Sequence, residues 1–176
     1  MSIADLKSLL VECGAILFGE FTLTSGRKSS FYVDIKKASC EPRILKAIGE
    51  DIAPTARGFD LIAGMELGAV PIAASAAIAS MKPYVIVRKG ERTHGTGKSI
   101  EGPDVKGKRV LIVEDVTTTG GSVVKTIERL REAGATVTLA ITVVDREEGA
   151  AQALAPLNVE LKPLVRISEL LKERKA

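Results

Sequence analysis

Apolar positions along this chain follow two spacings, and the change from one to the other sets out its elements. In residues 2–14, Ile3, Leu6, Leu10 and Cys13 fall on one stripe of a helix. Apolar positions at 20–23 and 31–34 predict short strands around T-S-G-R-K-S-S, a basic turn bearing one glycine. A helix is expected over 42–52, with Pro42 in its first turn and Pro54 limiting it. From about residue 60, short apolar runs alternate with helical segments. Strands are expected at 60–63, 84–87, 110–113, 136–144 and 159–164, and helices at 69–79, 121–133, 147–154 and from 168 onward. Gly134 suits the left-handed cap of the second of these helices. The alanines of 69–79 fit a helix packed closely on a sheet. Such alternation predicts an α/β fold: one domain over 1–176, its central, mostly parallel sheet flanked by helices.

The richest stretch is V-L-I-V-E-D-V-T-T-T-G-G-S at 110–122. Residues 110–113 read as a buried parallel strand, apolar on both faces. Glu114 and Asp115 then emerge at its carboxyl end, where open α/β sheets place ligands. The hydroxyls and glycines of 117–122 let backbone N–H groups approach an anion, at the start of a helix whose amino end attracts negative charge. Acids after a strand, or a glycine before a helix, also occur as ordinary turn and cap chemistry. Their joint order describes a cradle for a phosphorylated sugar.

Two further segments carry charge into loops. The strand at 136–144 delivers Asp145 and Arg146 at its end. Residues 88–102, R-K-G-E-R-T-H-G-T-G-K-S-I-E-G, are basic, rich in glycine and poor in apolar side chains, which predicts a loop that stays mobile without an anion. Within it, R-T-H-G-T-G-K-S nearly matches a nucleotide-hydrolase phosphate loop. Arg92 replaces the first glycine of that pattern, and S-I-E-G-P-D follows in place of a helix, so the match is rejected.

Composition narrows the function classes. With 25 basic and 22 acidic residues among 176, the net charge is +3, which does not indicate a nucleic-acid-binding surface. Cys13, Cys40 and the single His94 lack metal-ligand spacing, and reduced thiols suit a cytoplasmic protein. The amino terminus does not read as a secretory signal, and the longest apolar stretch, 69–81, is too short for a membrane span. A soluble protein is expected.

The order of 110–122 resembles the phosphoribosyl pyrophosphate (PRPP) motif of the type I phosphoribosyltransferases. Three more segments, F-G-E-F-T-L-T-S-G-R-K-S at 18–29, R-K-G-E-R-T-H-G at 88–95 and V-D-R at 144–146, are similar in order to the orotate phosphoribosyltransferases within that family. The resemblance implies the type I fold, with a small amino-terminal hood at about 1–40 and a flexible catalytic loop at about 88–102. It implies transfer of phosphoribosyl from PRPP to orotate, giving orotidine 5′-monophosphate and pyrophosphate. By the same resemblance, Glu114 and Asp115 take the ribose hydroxyls, Val116 belongs to the PRPP site, and Thr117, Thr118, Thr119, Gly120, Gly121 and Ser122 hold the 5-phosphate. Arg88, Lys89, Arg92 and His94 neutralise pyrophosphate, with Arg92 tied most directly to catalysis alongside Glu114 and Asp115. Arg146 and Thr118 bind orotate. Mg²⁺ is the implied cofactor, held mainly by substrate oxygens and water, and a homodimer sharing the loop between subunits is the implied assembly.

Some positions depart from the family pattern. Thr24 stands where a ligand-contacting lysine occurs, Leu67 and Gly68 where relatives carry Tyr-Lys, and Glu66 is unexpected beside an anion. Taken alone, Arg146 also reads as a surface arginine paired with Glu147 or Glu148, and His94 as a solvated loop residue. Two other functions fit the motif at 110–122: transfer to another base such as a purine, and PRPP sensing by a transcription regulator. A regulator is expected to add a helix-turn-helix or a broad basic face, and neither is evident.

Overall fold

The computed structural model describes residues 3–22, 28–90 and 99–173. The amino-terminal part comprises α1 (Ile3–Glu12) and an antiparallel pair, β1 (Ile16–Thr22) and β2 (Lys28–Val33), forming a sheet of its own. Leu6 and Leu10 of the expected stripe are fully buried. Next come α2 (Ile35–Ser39), α3 (Pro42–Ala56), β3 (Leu61–Met65), α4 (Ala69–Ser80), β4 (Tyr84–Val87) and β5 (Ile100–Glu101). The chain continues through β6 (Val110–Thr117), α5 (Gly121–Glu132), β7 (Leu139–Asp145) and α6 (Ala150–Leu154). A 3-10 turn (Ala155–Leu157), β8 (Glu160–Arg166) and α7 (Ile167–Glu173) complete it.

The larger sheet runs β5-β4-β3-β6-β7-β8, parallel except for β5, as the alternation predicts. Period-two alternation feeds two cores, one on each face. On β6, Leu111 and Val113 join Leu6, Ile48, Ile52 and Ile72 from α1, α3 and α4. Val110 and Ile112 join Val123, Ile127 and Leu130 from α5 on the opposite face. Each fully buried aliphatic side chain contributes roughly 1.5–3 kcal/mol. The small residues of α4 allow close packing, since a Cβ added at Gly49 of α3 would overlap Ser75, and one at Gly64 would lie 2.7 Å from the Ala69 carbonyl oxygen.

Several expected boundaries move for identifiable reasons. Helix α3 runs through Pro54 to Ala56: a proline's φ suits the last turn, and Ala53 and Ala56 are both buried. Arg57 N–H still reaches the Ala53 carbonyl at 3.1 Å. Strand β7 begins at Leu139, Thr136 making only an isolated bridge to Arg109. The helix expected from 147 starts at Ala150, because Glu147 and Gly149 both take positive φ, 58° and 110°, and turn the chain out first. Strand β6 extends to Thr117 and does not stop at Val113. Its pairing with β7 continues through Glu114↔Thr142 and Thr117↔Asp145.

Order along the sheet locates a crevice. After β3 the chain moves to β4 on one side, and after β6 it moves to β7 and β8 on the other. Ligands of open α/β sheets bind outside the carboxyl ends of strands at such a switch point, here between β3 and β6.

Candidate active site

Because Glu114 and Asp115 are the fifth and sixth residues of β6, alternation sends them to opposite faces at the crevice. Glu114 turns toward α5, where Ser122 donates its Oγ hydrogen to Glu114 Oε2 at 3.0 Å. Asp115 turns toward the loop after β3 and comes against Gly68; a Cβ there would overlap Asp115 Oδ2. Backbone N–H groups fix both acids, Asp115 N–H to Glu114 Oε1 at 3.1 Å and Val116 N–H to Asp115 Oδ1 at 2.8 Å. In that loop the Glu66–Leu67 peptide is cis.

Glu114 is 6% exposed. Burial, reinforced by the hydrogen bond that protonated Glu114 donates to the Asp115 carboxylate and by the charge of that carboxylate, pushes its carboxyl up from the ordinary 4.5 to about 8. A group whose pKa is higher folded than unfolded holds more protons in the native state, so its contribution to stability is lost as pH rises. The melting temperature of the ligand-free protein is therefore expected to fall between pH 4.5 and about 8. Glu114→Gln flattens that slope in thermal denaturation followed across this range. An undiminished slope in the variant would assign the effect to other groups.

The phosphate cradle follows directly. Gly120 takes φ 85° and caps α5 without a side chain, and no acid stands in that helix's first turn, so its leading N–H groups remain suited to an anion. A Cβ at Gly120 would lie 3.1 Å from Ala150 Cα, which binds the turn closely to α6. Thr117 is buried and donates its hydroxyl to Asp145 Oδ1 at 3.0 Å, while Ser122's goes to Glu114. Of the hydroxyls expected at a phosphate along 117–122, those of Thr118 and Thr119 stand on exposed residues.

Arg146 sits beside this cradle. Its backbone N–H donates to the Thr117 carbonyl at 3.0 Å, and Asp145 Oδ1 also accepts Glu147 N–H at 3.0 Å. The guanidinium lies over the Phe31 ring of β2, 4.9 Å from its centroid, and Nε donates to Glu148 Oε1 at 2.7 Å. The pairing with an adjacent acid does occur, yet the Arg146 side chain is only 9% exposed. This arginine is enclosed by the amino-terminal sheet, unlike an ordinary surface cation. Glu147 instead accepts Ser168 N–H at 2.9 Å.

Comparison with known proteins places this arrangement. Residues 41–159 match the family model described as a phosphoribosyl transferase domain. The orotate phosphoribosyltransferase of Methanospirillum hungatei is 52% identical, covering 97% of this chain and 99% of the relative. That of Methanocaldococcus jannaschii is 52% identical, covering 95% and 96%. The chain belongs to the orotate phosphoribosyltransferase family. Among solved structures, the orotate phosphoribosyltransferase of Aeropyrum pernix superposes with a TM-score of 0.85 at 35% identity, covering 97% of this chain and 98% of that one. The Mycobacterium tuberculosis orotate phosphoribosyltransferase in complex with PRPP gives 0.80 at 31%, covering 96% and 98%.

Within the family site, the structure brings together Glu114, Asp115, Val116, Thr117, Thr118, Thr119, Gly120, Gly121, Ser122 and Arg146 at the ends of β6 and β7. Arg88 and Lys89 follow β4, whose neighbour β3 leads into the Gly68 loop. Arg92, His94 and Thr24 lie outside the described residues, as does most of the expected catalytic loop. Sequence reasoning missed Phe31, and it singled out Gly68 only as a departure from the family pattern, not as a neighbour of Asp115. Neither contact carries a local signal, because each joins residues distant in sequence.

Proposed function

We propose that the protein transfers the phosphoribosyl group of PRPP to N1 of orotate, giving orotidine 5′-monophosphate and pyrophosphate in the synthesis of UMP. Carrying this reading is the hydrogen bond from Arg146 N–H to the Thr117 carbonyl, which ties a base-selecting cation directly to the sugar-phosphate cradle. Orotate bears a carboxylate, which a guanidinium grips through two N–H donors. Nε is engaged with Glu148, so the terminal nitrogens are the edge assigned to orotate, with Thr118 beside it.

The bond from ribose C1 to pyrophosphate breaks and its electron pair leaves with the pyrophosphate. N1 of orotate forms the new bond to C1, and its proton passes to the departing pyrophosphate or to water. Positive charge grows on the ribose ring meanwhile; Glu114 and Asp115 hold its 2- and 3-hydroxyls, and the Asp115 carboxylate stabilises that charge. The leading N–H groups of α5 hold the 5-phosphate, and Arg88, Lys89, Arg92 and His94 balance the leaving group. The Asp115 carboxylate beside Gly68 would offer oxygen to a hard cation held mainly by substrate oxygens and water. Mg²⁺, when bound, supplies charge on the pyrophosphate side.

A homodimer is part of the proposal. Ile78 and Met81 are 77% and 88% exposed, and Leu67 is also exposed. Near Ile78 lies an apolar groove of about 490 Å³ between α3 and α4, lined by Pro42, Leu45, Pro71 and Ala74 among others. A second copy seated there covers apolar surface of the kind that marks interaction sites. No helix among the described residues is long and apolar enough to cross a membrane, and the two cysteines are unpaired, which suits the cytoplasm.

Incubation with PRPP and Mg²⁺ is expected to consume orotate, seen as a loss of its absorbance, with little turnover of uracil or purines. Turnover of hypoxanthine without loss of orotate would refute the assignment.

A further inference from the structure

Glu66, the departure from family pattern in the loop after β3, faces away from the cradle and toward the start of the basic segment. Its backbone N–H donates to the Val87 carbonyl at 2.9 Å, which continues the β3–β4 pairing by one residue. Its carboxylate then spans to the next two residues of the neighbouring strand's exit. Oε1 accepts Lys89 N–H at 2.8 Å, and Oε2 lies 3.8 Å from Arg88 Nε. Other groups hold the same root. Arg88 N–H donates to the Ser99 carbonyl at 2.9 Å, Arg88 Nη1 lies 3.7 Å from Glu101 Oε1, and Arg129 Nη2 donates to the Lys89 carbonyl at 3.2 Å.

We infer that Glu66 is a positioning residue for PRPP: it joins the loop that faces Asp115 to the root of the basic segment, and thereby sets where Arg88 and Lys89 present their charge. This deepens the proposed function and rests on it. The loop from Glu66 to Gly68 is short, and Gly68 is in contact with Asp115. One carboxylate therefore keeps the leaving-group cations in register with the ribose acids. The hydrogen bond to Lys89 N–H matters more than the charge, because the Arg88 contact, at 3.8 Å, is a long and partly exposed ion pair of small worth. An N–H donated to a carboxylate is among the stronger hydrogen bonds.

Steady-state kinetics of the full chain with varied PRPP and varied orotate tests this. Glu66→Ala is expected to raise the KM for PRPP and lower kcat, cutting kcat/KM for PRPP roughly tenfold, with the orotate KM unchanged. Glu66→Gln keeps an oxygen that accepts Lys89 N–H and is expected to restore most of the loss. A general structural defect shifts both substrates alike and lowers the melting temperature of the alanine variant. Wild-type kinetics in Glu66→Ala, equal damage toward both substrates, or a Gln variant as impaired as the Ala variant each overturns the inference. Failure of the parent protein to turn over orotate is a different outcome, one that removes the proposed function itself.

Discussion

Arg146→Ala is expected to raise the KM for orotate roughly 100-fold, from the loss of charge-assisted hydrogen bonds contributing about 1.5–3 kcal/mol each. The KM for PRPP is expected to stay near its starting value. Arg146 reaches the cradle only through its backbone, Thr117 accepting its N–H, and that bond survives the substitution. Arg92→Ala is expected to do the reverse, lowering kcat with little change in orotate KM, since its expected role is at the leaving group. Kinetics with each substrate varied at saturating levels of the other separates the two. Equal effects of both variants on both substrates would refute this division of roles. Removing Arg146 also takes away its 2.7 Å bond to Glu148 and its stacking on Phe31, so some loss of melting temperature is expected. A variant that stays folded well above the assay temperature while its orotate KM is high distinguishes lost recognition from lost folding.

How far these residues were legible beforehand depends on the range of the interaction behind each. The central strands of the large sheet are readable because both of their faces are buried, leaving unbroken apolar runs such as Leu61–Met65; Tyr84–Val87, half-buried at alternate positions, coincides with its expected boundaries. Glu114 marks where this reasoning stops. A carboxylate in sequence reads as the end of a buried strand, yet β6 continues three residues beyond it, since Ser122 and a backbone N–H satisfy the buried group. Strand β5 has two residues and α2 five, too few for any period to show. The anion cradle at 117–122 and the Asp-Arg pair at 145–146 were legible as motifs, because a strand, a turn and a helix start lie consecutively there. The stacking of Phe31 on Arg146 was not, since it depends on the amino-terminal sheet folding over β7's end. Glu66 looked misplaced beside an anion for the same reason: its partners, Arg88 and Lys89, follow the next strand.

Gly68→Ala is expected to lower kcat roughly 100-fold or more while leaving the melting temperature close to that of the parent, as misplacing a reacting group by about 1 Å does. Gly68 has φ −64° and ψ −35°, which alanine adopts without strain, so any effect is steric. The new Cβ would overlap Asp115 Oδ2 and lie 2.6 Å from its Cγ. Two movements relieve this. The loop can retreat, which is opposed by the Glu66 N–H bond to Val87 and by Glu66's carboxylate on Lys89 N–H. Asp115 can rotate, giving up one 2.8 Å bond from Val116 N–H. Rotation costs less and takes the carboxylate off its course toward the ribose hydroxyls, so the fold persists while the chemistry suffers. Asp115→Ala removes the atoms in conflict. The double variant Gly68→Ala/Asp115→Ala is thus expected to be no slower than Asp115→Ala alone, a non-additive result that kcat measurements on the four proteins reveal. Additive losses would mean that Gly68 acts on catalysis by a route other than Asp115, with its backbone N–H on the pyrophosphate the next group to test.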